Sequence, residues 1–151
     1  MYYFEHYLRE GGLTGPCVVV ILRNPGGDDG LCRDLAVEIE DALPGASVRL
    51  VAPGEPPPRC DLLVSVFERP YRFPLQDVVH DSLDQLEGLL RHRAACRSLL
   101  LYRARWREAE VVASADLPRL VRRRRSEARL VRLLERSTIL GRLLRPLYPG
   151  P

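Results

Sequence analysis

Two adjacent aspartates follow a glycine pair in the stretch Asn24-Pro25-Gly26-Gly27-Asp28-Asp29-Gly30. Carboxylates at such a turn can share a divalent cation with water or phosphate oxygens. They can equally cap a following helix by accepting its free N–H groups. A glycine-rich turn between strand and helix is also a place where phosphate binds. The residues here argue against phosphate. The spacing G-x-G-x-x-G is absent, and Leu31 and Cys32 stand where a P-loop carries Lys and Ser or Thr. Two carboxylates in the turn would repel the anion. Asp28 and Asp29 therefore read as capping residues. Asn24, Gly27, Asp28 and Asp29 are kept as one half of a candidate ligand site, with no metal assigned.

The other half is a mixture of guanidinium and aromatic side chains. Arg69, Tyr71 and Arg72 lie in "ERPYRFP", and Trp106 lies in "YRARWR". Such pairs hold anions and stack bases. They also occur as packing at the edge of a core, with arginine stems laid over the rings. His80 has Asp77, Asp81 and Asp84 at helical spacing, which could raise its pKa for acid–base work. A surface histidine among surface acids is the plainer reading. Cys17, Cys32, Cys60 and Cys96 contain no C-x-x-C pair, and three of them precede apolar runs. A zinc site is conceivable there, but small buried hydrophobes are expected. No catalytic residue and no cofactor is assigned.

The run "VRRRRSEARLVR" is the most distinctive feature. Four consecutive arginines spread over about 300° of helix, so some must face solvent or a partner. Arg119, Arg122, Arg123, Arg124, Arg125, Arg129 and Arg132 form a candidate nucleic-acid or anion surface. An amphipathic helix on an anionic membrane is a further reading, as is a solvated face. Residues 116–145 hold ten arginines against three acids, a net +7, while the rest of the chain is −4. That asymmetry marks either a basic face for an acidic partner or a helix lying against its own acidic body. All 23 basic residues are arginine, so an arginine here can be simply the lysine of another composition.

The elements that must carry these residues follow from periodicity. Residues 17–23, "CVVVILR", are apolar on both faces and read as a central strand. Residues 31–43 repeat Leu31, Leu35, Ile39 and Leu43, with Val37 widening the stripe, and read as an amphipathic helix ended by Pro44-Gly45. Strands are expected at 47–52, 61–67 and 98–103, with a short fifth at 110–114. The proline linker 53–59 leaves the direction of the third strand open. A helix over about 77–94 should bury Val79, Leu83, Leu86 and Leu90. From Asp116 the pattern is helical, with Leu117, Leu120, Val121, Leu130, Val131, Leu133 and Leu134 supplying apolar contact and a second short helix over about 137–145.

The sum is one small three-layer α/β domain over residues 1–151. A mostly parallel sheet of four to five strands is flanked by helices, and 116–147 forms a basic C-terminal helical segment. The element order is similar to flavodoxin-like or TIR-like arrangements. The apolar strand ending in Asn24-Pro25 resembles the opening of lipid and diacylglycerol kinases. Those carry a GGDGT loop after the third strand, where this chain reads "VFERP", so the resemblance implies no kinase site.

With 151 residues, 46% hydrophobic and 28% charged, the composition is that of a soluble globular domain. No apolar run reaches the roughly 20 residues of a membrane span, and residues 1–12 do not read as a secretory signal. A cytoplasmic location is expected, or a nuclear one through the arginine run. The function expected is a non-catalytic adaptor binding an unidentified protein partner. Nucleic-acid or anion binding is the alternative. A nucleotide-dependent enzyme with its site at the C-terminal end of the sheet is third.

Overall fold

The computed structural model describes residues 16–23, 29–52, 54–68 and 78–144, with the side chains of the last helix described to residue 137. The strands are β1 (Val18–Arg23), β2 (Ser47–Val51), β3 (Cys60–Phe67), β4 (Cys96–Arg103) and β5 (Glu108–Ala113). The helices are α1 (Asp29–Ala42), α2 (Val78–Leu89) and α3 (Leu117–Leu144). The sheet order is β2-β1-β3-β4-β5. The first four strands are parallel and β5 runs antiparallel to β4. This is the order of flavodoxin-like doubly wound sheets with the last strand reversed.

Alternation along each strand splits the core in two. Val19, Ile21, Leu62, Val64 and Leu100 pack with Leu35, Ile39 and Leu43, around α1. Val20, Leu63, Leu99, Leu101 and Val112 pack with Leu86 and Leu89 of α2 and Leu117 and Val121 of α3. Both faces of β1, β3 and β4 are therefore covered, which is why their sequences are nearly unbroken apolar runs.

The direction of β3 is settled by its register against β1, with Val19 opposite Leu62 and Arg23 opposite Val66. Only eight residues, 52–59, separate β2 from β3. At about 3.1 Å per residue an extended proline-rich segment reaches about 25 Å. Eight strand residues at about 3.3 Å need much the same length. The stiff linker thus does what a crossover helix does elsewhere, and Pro57 is buried along it.

Three expectations need correction. Val37 is exposed on α1, because it lies two residues from both Leu35 and Ile39 and so falls off their face. On α2 the buried residues are Asp81, Ser82, Gln85, Leu86 and Leu89, while Val79, Leu83 and Leu90 are only partly covered. The C-terminal segment is one continuous helix of 28 residues, not two. At 1.5 Å per residue it is about 42 Å long. Leu117, Val121 and Ala128 are buried and Val131 and Glu135 are part-covered, whereas Leu130, Leu133 and Leu134 are exposed. No helix among the described residues is long and apolar enough to cross a membrane.

Candidate functional site

In an open parallel sheet the crevice forms at the C-terminal ends of the strands, where connections depart in opposite directions. Here that point lies between β1 and β3. Arg23 closes β1 there. On one side a groove of about 190 Å³ is bounded by Leu22 and Arg23, Ser65 and Phe67 of β3, Gly54 and Glu55 of the linker, and α2 from Asp84 to His92. On the other side a hollow of about 330 Å³ is bounded by Arg23, Asp29, Cys32, Arg33 and the end of β2. Ligand pockets usually enclose roughly 300–1,000 Å³; the hollow reaches the lower end of that range and the groove, over the described residues, falls below it.

Asp29 is the first helical residue of α1, and its carboxylate pairs with the Arg23 guanidinium. The pair cancels much of the local charge. An arriving phosphate meets a carboxylate beside the arginine that would bind it. His92, on the groove wall, accepts a hydrogen bond at Nε2 from Arg91 Nε at 3.1 Å. Burial and then the Arg91 charge hold its imidazole below the usual histidine range. Among the described residues no group of three His, Cys, Asp or Glu side chains could hold a metal. Cys17 belongs to the core layer around α1, and Cys60 and Cys96 to the opposite layer, which separates them as ligands. Asn24, Gly27, Asp28, Arg69, Tyr71 and Arg72 lie outside the described residues.

Trp106 follows β4, on the α2 side of the sheet. Its Nε1 donates to the buried Asp81 Oδ2 at 2.6 Å, and the Arg105 guanidinium sits 4.9 Å from its ring centroid. The ring thereby fastens α2 to the end of β4. Beside it lies a polar assembly that periodicity does not register. Arg103 is 1% exposed. Its Nη1 donates to Gln85 Oε1 at 3.1 Å, and its Nη2 to Glu110 Oε2 at 3.1 Å. Gln85 Nε2 donates to Ser65 O at 3.0 Å and to Ser65 Oγ at 3.2 Å. Arg124 Nη2 reaches Glu110 Oε1 at 3.5 Å, and Arg124 Nη1 donates to Glu127 Oε2 at 2.8 Å. A polar chain thus runs from β3 through α2, β4 and β5 to α3. The sequence hint was charge alternation: Glu108 and Glu110 share one face of β5, opposite Arg103 and Leu101 of β4.

The arginines of α3 separate into two groups. Arg123, Arg124 and Arg125 are engaged within the chain, Arg123 with Glu127, Arg124 with Glu110 and Glu127, and Arg125 with Glu87. Arg119, Arg122, Arg129, Arg132 and Arg136 are exposed. The acidic body therefore takes up part of the basic run and leaves the rest facing solvent. Beside that remainder stand Leu130, Leu133 and Leu134, at 57%, 62% and 60% exposure. They fall within an arc of about 100°, roughly opposite the Leu117–Val121–Ala128 face that meets the body.

Compared with protein families, with curated proteins and with solved structures, the chain matches none.

Proposed function

We propose that this chain is a non-catalytic binding module that works as an adaptor through protein contacts, and that the outward face of α3 is the surface it presents. The observation that carries the reading is the exposed triad Leu130, Leu133 and Leu134 on a helix whose opposite face is already packed. Leucines grouped on a surface, rather than scattered, mark an interaction site. The reading places the protein in the cytoplasm, or in the nucleus where the arginine run serves as an address; four free buried thiols suit either compartment.

The second reading, nucleic-acid or anion binding, is favoured by the exposed arginine row beside the leucines. One experiment separates the two. The tagged chain is recovered from its native cells in three forms: wild type, Leu130→Ser/Leu133→Ser/Leu134→Ser, and Arg122→Gln/Arg129→Gln/Arg132→Gln. The adaptor reading expects a protein complex that the leucine variant loses while melting at the wild-type temperature. Nucleic acid that co-purifies, dissociates steeply with salt and is lost only in the arginine variant would overturn it.

A further inference from the structure

Ser126, Leu130, Leu133 and Ser137 follow one another at steps of four, three and four residues. Steps that alternate between four and three are those at which one helix meets another along a seam. All four are exposed. On one flank of this seam stand Arg122, Arg129 and Arg136, seven residues apart and so about 10.5 Å apart along the axis. On the other stand Glu127 and Leu134. Glu127 is already engaged by Arg123 and Arg124. Arg122, Arg129 and Arg136 form no ion pair with another described residue. The flank is thus a ladder of three cations beside a seam whose centre is Leu130 and Leu133, at the positions that choose partners in helix pairing.

We propose that the outward seam of α3 receives an amphipathic helix with leucines on one face and carboxylates along its flank. The proposal rests on the adaptor reading above and names its partner's chemistry. Each of the three arginines then meets a carboxylate, while Leu130, Leu133 and Leu134 leave water. A second copy of this chain fits poorly. Placed antiparallel, the two arginine rows face each other. Placed parallel, Arg122 meets a Glu127 already shared by two arginines, Arg129 meets Leu134 of the other copy, and two segments of net +7 approach. An anionic membrane is also the poorer occupant. α3 has no aromatic residue to sit at the headgroups.

The test is a titration of the full chain with two labelled 21-residue peptides. They share leucines at the same 3-4 spacing and differ only in flanks of Glu or Lys. The proposal expects the Glu peptide to bind at least tenfold more tightly, with affinity falling as salt rises. Arg122→Glu/Arg129→Glu/Arg136→Glu should reverse the preference, and Leu130→Ser/Leu133→Ser/Leu134→Ser should abolish binding of both peptides. Equal binding of the two peptides, or binding of neither, overturns the proposal. So does a dimer of the chain alone in sedimentation, or seam-dependent binding to phosphatidylserine vesicles in place of the Glu peptide. Should the peptides fail while the leucine variant still loses its complex in cells, the partner class is wrong and the adaptor reading stands. Should both fail, the adaptor reading falls with it.

Discussion

Arg103 is as deeply buried as Asp81, at 1% exposure each, and its surroundings explain why it is tolerated. Gln85, Glu108 and Glu110 each accept from its guanidinium, at 3.1–3.4 Å. Removing one partner of a buried ion pair leaves the others uncompensated. Arg103→Ala is therefore expected to lower unfolding free energy by about 3 kcal/mol in denaturant titrations. A loss near zero would mean that water already serves Glu108 and Glu110. The cysteines carry a second expectation. Cys60 and Cys96 face each other across β3 and β4. The hydrogen bond that Cys60 gives Cys96 holds its own thiol far above the ordinary range, with burial adding to the rise. The same bond lowers Cys96, against the opposing effect of burial. A thiol reagent should leave all four cysteines unmodified in the native protein and modify four after unfolding. Fewer than four after unfolding would reveal a disulfide.

α2 shows best where sequence patterns fail. Counting apolar residues directs Val79, Leu83 and Leu90 inward, because a local window assigns burial by hydrophobicity. Leu83 and Leu90 do pack against the core, partly covered, but the residues the helix buries fully are Asp81, Ser82 and Gln85 beside Leu86 and Leu89. The partners of Asp81 and Gln85, namely Trp106, Arg103 and Ser65, come from β4, its following turn and β3, remote in sequence and so invisible to a local pattern. β1, β3 and β4 were legible because burial on both faces writes itself as an unbroken apolar run. The parallel direction of β3 was not, since a linker of prolines substitutes for the usual helix. On α3 the arginine run was plain, but its division between the body and solvent depends on Glu87 and Glu110, supplied by other elements.

The first half of α3 is also sensitive to acid. The hydrogen bond from Arg124 holds the Glu127 carboxyl below its usual range despite some burial. A carboxyl with a folded pKa below its unfolded value stabilises the fold above the ordinary carboxylate range, and that contribution disappears as pH falls through the folded value. Glu127 is 34% exposed, so solvent screening keeps the effect under about 1 kcal/mol. Melting curves from pH 7 to pH 3 should show a shallower decline for Glu127→Gln than for wild type. Identical slopes would remove Glu127 from the acid response.

The described residues form a scaffold of sheet and helices on which the long α3 is seated through Leu117, Val121 and Ala128. The sheet and its two core layers fix Leu117, Val121 and Ala128. The polar chain from Ser65 to Glu127 ties α3 to β3, α2, β4 and β5. The seam at Ser126–Ser137 is then presented from a rigid support, with its leucines turned away from the body. At the crevice, Arg23 is paired with Asp29. The decisive measurement is hydrogen–deuterium exchange of the protein, free and in the complex recovered from its cells. Protection on binding should appear at residues 129–137 of α3 and leave β1, β3 and the groove wall of α2 unchanged. Protection confined to Arg23, Ser65 and α2, with α3 exchanging as in the free protein, would contradict the seam as the docking surface.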